Sequence, residues 1–145
     1  MSAIGAPKGR KHNVKAQDFE TALRGVLQGI AENNITRFVN VTSVATRYGG
    51  ERYSLFRRFM RLVAHGMAPI MTPSQELELA LLRGSDVRWT SIRVPRIMDT
   101  AKGDLKIDPD NCAGMYISRA HLANLMLDCV TSDAWVQKAP FVATS

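Results

Sequence analysis

Apolar residues recur along this chain with two alternating periods. From Asp18 to Glu32, the residues Phe19, Ala22, Leu23, Val26, Leu27 and Ile30 return every third or fourth position, with Glu20, Arg24, Gln28 and Glu32 on the other side. That spacing predicts an amphipathic helix with Asp18 near its start. Asn33-Asn34 closes it, because asparagine tolerates the left-handed geometry that ends helices. Arg37-Phe38-Val39-Asn40-Val41-Thr42-Ser43 follows directly, a β-branched and aromatic run that reads as a buried strand ending in two hydroxyls. Gly49-Gly50 then marks a turn. From Glu51 to His65 the helical spacing returns, with Leu55, Phe56, Phe59, Met60, Leu62 and Val63 set among Arg52, Arg57, Arg58 and Arg61. Such a basic helix could lie on a membrane surface, but one apolar stripe on a soluble fold normally faces its own core, a sheet edge or a partner subunit.

The second half carries sharper punctuation. Thr72-Pro73-Ser74-Gln75 combines an N-cap threonine, proline at the first helical position and glutamine three residues after the cap. The predicted helix runs through Leu77, Leu79, Ala80, Leu81 and Leu82 to Gly84. Val87 to Val94 reads as a strand cut short by Pro95, so that Val94-Pro95-Arg96-Ile97 lies at a second strand end. Asp104 to Asp108 is a short strand closed by Pro109, Asp110 and Asn111. Ser118 caps a last helix through Val130, with Ile117 and Leu122 placed as a hydrophobic staple and Leu122, Leu125, Met126, Cys129 and Val130 on the buried side. Ala139-Pro140-Phe141-Val142-Ala143 is expected to be an edge strand, where proline is tolerated.

Helices alternating with strands predict one α/β domain over residues 1–145 around a parallel sheet. In open parallel sheets ligands sit just beyond the carboxyl ends of strands. Thr42 and Ser43 occupy that position, although both are also ordinary residues for ending a strand.

Composition narrows the class without naming a partner. At 145 residues, 46% hydrophobic and 22% charged, the chain resembles an ordinary globular protein. No stretch approaches the roughly 18 to 20 apolar residues of a membrane span. Met1 to Ala6 runs straight into Lys8, Arg10 and Lys11 without the apolar core of a secretory signal, so a cytoplasmic location is expected. Cys112 and Cys129 lack the spacing of zinc or redox pairs and read as reduced, structural thiols. The net charge of +6 favours anionic partners and gathers at Lys8, Arg10, Lys11 and Lys15 and again along the arginine-rich helix. No helix-turn-helix or RNA-binding signature accompanies it, so nucleic acid is not the expected partner; a polyanion-binding surface on Glu51 to His65 is the weakest of the readings.

Catalytic candidates are sparse. Tyr48 and Tyr53 are followed four residues on by Arg52 and Arg57, which supply charge but cannot relay a proton by deprotonating as a lysine could. His12, His65 and His121 fall in unrelated contexts and assemble neither a nucleophile triad nor a metal set.

Taken together, Ser2-Ala3-Ile4-Gly5, Arg37 to Ser43, the helix from Thr72 through Leu81-Leu82-Arg83 to the run Val87 to Pro95, and Ile117-Ser118-Arg119-Ala120-His121-Leu122 resemble the NAD(P)H-binding family of atypical short-chain dehydrogenases. That group includes NmrA-like proteins and flavin or biliverdin reductases. The resemblance spans nearly the whole chain in the family's order. It implies a Rossmann-like, three-layer fold with NAD(P)H as cofactor and hydride transfer to a small acceptor as the family chemistry. Ala3, Ile4 and Gly5 would pass along the ribose and pyrophosphate, Thr42 and Ser43 would sit by the nicotinamide, and Pro95, Arg96 and Ile97 would wall it. No Gly-x-Gly-x-x-Gly matches, since Gly5 and Gly9 are wrongly spaced. The alignment therefore implies a chain that begins partway through the family domain, without the N-terminal βαβ half and its glycine-rich loop. From that follow weakened or lost cofactor binding and an exposed sheet edge open to self-association. The alternative is a truncated or regulatory NmrA-like protein that acts by association rather than catalysis.

Overall fold

The computed structural model describes residues 16–48, 58–59, 61–62, 66, 71–100 and 102–144. The described residues fall into two units, one of residues 37–44 and 88–144, the other of residues 16–36 and 45–87.

In the second of these, helix α1 (Ala16–Glu32) packs against helix α2 (Met71–Arg83). Leu23 and Ile30 of α1 are buried, as are Leu79 and Leu82 of α2. On the wet side of α1, Arg24 Nη2 donates to Glu20 Oε1 at 2.8 Å and Gln28 Nε2 to Glu32 Oε1 at 2.7 Å, the one-turn spacing that brings side chains together. The expected asparagine closure is present: Asn34 has φ 53°, Ile35 N reaches Ile30 O at 2.9 Å and Asn34 N reaches Ala31 O at 3.2 Å. This six-to-one and five-to-two pair satisfies carbonyls that a helix end leaves open. Helix α2 starts one residue before the expected cap threonine and stops before Gly84, whose N–H donates to Ala80 O at 3.2 Å. The basic stretch from Glu51 to His65 falls largely outside the described residues. Its described members Arg58, Phe59, Arg61 and Leu62 are helical, but Phe59 and Leu62 are 61% and 73% exposed, so these two apolar residues do not face a core.

The other unit holds a six-stranded sheet and helix α3 (Arg119–Thr131). Its strands are β1 (Arg37–Ser43), β2 (Arg88–Val94), β3 (Arg96–Met98), β4 (Leu105–Asp108), β5 (Tyr116–Ser118) and β6 (Phe141–Thr144). They run in the order β1-β2-β6-β5-β3, with β4 attached to β6. The expected parallel pairing appears at β1/β2, β2/β6 and β3/β5, while β4 and β5 meet β6 antiparallel. Val39, Ile92, Val94 and Val142 on one face form a core with Leu122, Leu125 and Cys129 of α3. Ser118 caps α3 as expected: its Oγ accepts from His121 N at 3.0 Å, and Ile117 and Leu122 are buried beside it. Val130 is exposed, contrary to the sequence reading, because one residue past buried Cys129 the helix has turned about 100° away from the core.

Strand β6 is the main departure from expectation. It lies inside the sheet and all four of its residues are buried. Pro140 does not prevent this because it precedes the strand and contributes only its carbonyl toward β2, accepting from Arg93 N at 2.9 Å. A missing N–H excludes proline only where the ladder asks for a donor.

Candidate functional site

The carboxyl tips of β1 and β2 end level with each other. The seven residues of each strand pair in register from Arg37↔Arg88 to Ser43↔Val94, and Val44 N continues the ladder to Val94 O at 3.1 Å. Thr42 and Ser43 therefore stand beside Arg93 and Val94, the last residues before Pro95, distant in sequence but adjacent in the sheet. Immediately past Pro95 the chain forms β3, which carries Arg96 and Ile97, both exposed, alongside β5. Ala3, Ile4 and Gly5 lie outside the described residues.

The two hydroxyls of β1 differ. Thr42 is 1% exposed and its Oγ1 lies 3.2 Å from Ser91 Oγ on β2, also buried. Ser43 is half-buried at the strand's last position. Alternation explains the difference, since successive side chains leave a strand on opposite faces.

Strands β1 and β2 also bury polar groups that a reading for hydrophobic runs passes over. On the face shared with Thr42 and Ser91 lie Asn40 and Arg93. Arg93 Nε donates to Ala139 O at 2.7 Å and its guanidinium stacks 3.7 Å above the Phe141 ring, which accounts for a cation inside the sheet. Asn40 is 1% exposed, and neither its Nδ2 nor its Oδ1 has a hydrogen-bond partner among the described residues. The signal was legible only as polar residues at alternate positions of otherwise β-branched strands.

The loop that leaves β1 is held by polar contacts to Gln75 and Glu76 of α2. Thr46 Oγ1 donates to Gln75 Oε1 at 2.8 Å and Arg47 N to Glu76 Oε1 at 3.2 Å, while Arg61 forms an ion pair with Glu76. Tyr48 lies beneath the Arg83 guanidinium, 4.9 Å from ring centroid to charge. Tyr53, Arg52 and Arg57 lie outside the described residues, as do His12 and His65.

The shifted ionisations lie away from the tips. Burial lowers the Arg37 pKa and raises that of the Cys129 thiol, an effect that the nearby Arg37 charge partly offsets. Cys112 and Cys129 are both free thiols. Among the described residues no three His, Cys, Asp or Glu side chains are grouped as metal ligands would be. No helix among them is long and apolar enough to cross a membrane.

Solved structures share this architecture. A short-chain dehydrogenase/reductase from Veillonella parvula in complex with NADP superimposes with a TM-score of 0.67 at 13% identity, covering 89% of this chain and 58% of its own. ChuY from Escherichia coli, described as an anaerobillin reductase, gives 0.68 at 18% identity, covering 95% of this chain and 61% of that one. A Rossmann-fold NAD(P)-binding family protein from Shigella flexneri gives 0.62 at 14% identity, with 91% and 57% covered. At these identities the likeness establishes a Rossmann-like fold, and this chain spans about three fifths of each relative's length. No curated protein matches by sequence. The family model described as NAD(P)H-binding matches residues 1–133. With a parallel strand pair ending level at Ser43 and Val94 and that match spanning most of its length, the chain belongs to the NAD(P)H-binding family.

Proposed function

We propose that this chain binds NAD(P)H in the crevice at the carboxyl ends of β1 and β2 and serves a reductase reaction on a small acceptor in the cytoplasm. The observation that carries the reading is the register of the two strands, which sets Ser43 beside Val94, one residue before Pro95, where parallel sheets receive nucleotides.

In this reading Ser43 hydrogen-bonds the nicotinamide end, and Pro95, Arg96 and Ile97 wall it and exclude water. Thr42 acts one step removed, through Ser91, by fixing the spacing of the two strand ends. Ala3, Ile4 and Gly5 would pass along the ribose and pyrophosphate. When bound, the reduced nicotinamide supplies the hydride, and the chain's task is to position and desolvate it.

Fluorescence titration of the full chain with NADPH tests this proposal. Saturable binding that Ser43→Ala weakens several-fold supports it; no binding at millimolar cofactor overturns it. Consumption of NADPH with a flavin or biliverdin as probe acceptor then tests the reductase step. A second reading, a regulatory protein without turnover, is favoured by the engagement of Thr42 with Ser91, which makes that buried hydroxyl part of the sheet. Cofactor binding without oxidation of NADPH by either acceptor would select it.

A further inference from the structure

Strands β2 and β6 diverge just beyond the strand tips. Their last paired residues are Arg93 and Phe141, after which the chain of β2 continues through Pro95 into β3 while β6 runs on to Thr144. Strand β5 enters the fork: Tyr116 pairs with Arg96 of β3 on one side and with Thr144 of β6 on the other. Both routes put Tyr116 at the same level. Arg96 lies three residues past Arg93 and Thr144 three past Phe141, so the tyrosine stands about 10 Å beyond Arg93 in the direction in which the parallel strands run. From Val94, the partner of Ser43, to Arg96 is at most about 7 Å of chain. Direct ladder partners share a face of the sheet, which sets the Arg96 and Tyr116 side chains beside each other. Both are exposed, Tyr116 by 39%, and neither makes a hydrogen bond, ion pair or ring contact among the described residues.

A hydride delivered to a carbonyl leaves an oxygen that must take a proton. A phenol gives one up far more readily than the alkyl hydroxyls of serine and threonine at the end of β1. We propose that Tyr116 is the proton donor of the reductase reaction on a carbonyl acceptor, with Arg96 holding the oxygen that receives the proton. The inference rests on the dinucleotide reading of this site. In the step, the acceptor's carbonyl carbon takes up the hydride with its electron pair, and the π pair of the C=O bond moves to the oxygen. That oxygen takes the Tyr116 proton as the phenolic O–H bond breaks. A solvent proton restores the phenol, so one NAD(P)H and one proton are consumed for each carbonyl reduced to an alcohol. Arg96 cannot give up a proton itself; its fixed charge offsets the negative charge growing on the oxygen. The two residues are far apart in the chain and become neighbours only through the pairing of β3 with β5.

Tyr116→Phe is the test, because the hydroxyl it removes holds no other residue in place, and an unchanged melting temperature checks that the fold is intact. NADPH affinity by fluorescence titration should stay near that of the wild type. NADPH oxidation with 9,10-phenanthrenequinone as the probe carbonyl should fall by about a hundredfold or more, the usual share of a general acid. Arg96→Gln should lower the same rate, and Arg96→Lys should recover part of it. Nitration of the full chain by tetranitromethane, read by peptide mass spectrometry, needs no turnover: saturating NADP+ with the quinone should slow modification of Tyr116 several-fold. NADPH binding with Tyr116 unprotected, no oxidation of NADPH with the quinone, or a rate indifferent to Tyr116→Phe overturns the proton donor and leaves the cofactor site standing. Absence of NADPH binding overturns both.

Discussion

The Thr42 hydroxyl lies 3.2 Å from that of Ser91 on the neighbouring strand, in a part of the sheet where both residues are buried. The bond makes one of the two hydroxyls at the end of β1 part of the sheet.

Thr42→Val removes one partner and leaves the Ser91 hydroxyl buried. A loss of about 1 to 2 kcal/mol is expected in urea denaturation, whereas the double variant Thr42→Val with Ser91→Ala should recover part of it. A cofactor affinity that follows Thr42 as closely as Ser43 would show that both hydroxyls meet the ligand.

Arg37 ties the start of β1 to the end of α3. Its Nε donates to Cys129 O at 2.7 Å, its Nη1 to Arg88 O at 2.6 Å and its Nη2 to Thr90 Oγ1 at 2.7 Å. A cation at a helix C-terminus also complements the helix dipole. Arg37→Met keeps much of the aliphatic stem but strands these acceptors, and a loss of about 2 to 4 kcal/mol is expected in thermal or urea denaturation. Arg37→Lys should recover only part, because a point charge cannot replace the planar fork.

Gly114 passes close against β6. A Cβ at this position would lie 2.4 Å from Thr144 O and 3.1 Å from the Ala143 Cβ. The obstacle is backbone, so it cannot swing aside. Gly114→Ala should destabilise the chain by about 1 to 3 kcal/mol, the usual cost of overpacking, and hydrogen exchange should show faster opening of the β4–β6 region. An unchanged melting temperature would refute the close approach.

Asp108 sets an acid limit. Its Oδ1 accepts from Asp110 N at 2.7 Å and Asn111 N at 2.8 Å, and these two backbone donors hold its pKa below the ordinary 3.8. A depressed folded value means that ionised Asp108 contributes stability above the unfolded pKa and loses that contribution as pH falls through the folded value. Wild-type stability should therefore drop more steeply than that of Asp108→Asn below about pH 4. Parallel curves for the two proteins would remove Asp108 from the acid response.

Local features of this fold were legible in the residues themselves. The asparagine closure of α1, the β1 run, the Ser118 cap with its Ile117 and Leu122 staple, and the stop at Gly84 each depend on partners within one or two turns. Such signals survive without knowledge of the remaining chain. The resemblance to the NAD(P)H-binding family was legible for a related reason, since an ordered set of strand ends and caps was on display even though no single motif was decisive.

Other features were not legible. Pro140 suggested an edge, yet β6 is interior, because its suitability depends on which ladder donors β2 requires. The burial of Ser91 and Arg93 depends on Thr42 for the first and on Ala139 and Phe141 for the second, all distant in sequence. Val130 matched the apolar spacing of α3 but points away from the core.

The sequence alone determined helices α1 to α3 and strands β1, β2, β4 and β6, but not the three-residue strands β3 and β5, and that Ser43 and Pro95 each mark a strand end, because short-range sterics and hydrogen bonding settle those choices. Only the tertiary structure decided that these ends lie side by side, that the Thr42 hydroxyl meets that of Ser91, and that β3 forms and pairs with β5. Strand order and burial are collective outcomes: they minimise exposed apolar surface and unpaired backbone over the whole sheet, and no segment encodes them by itself.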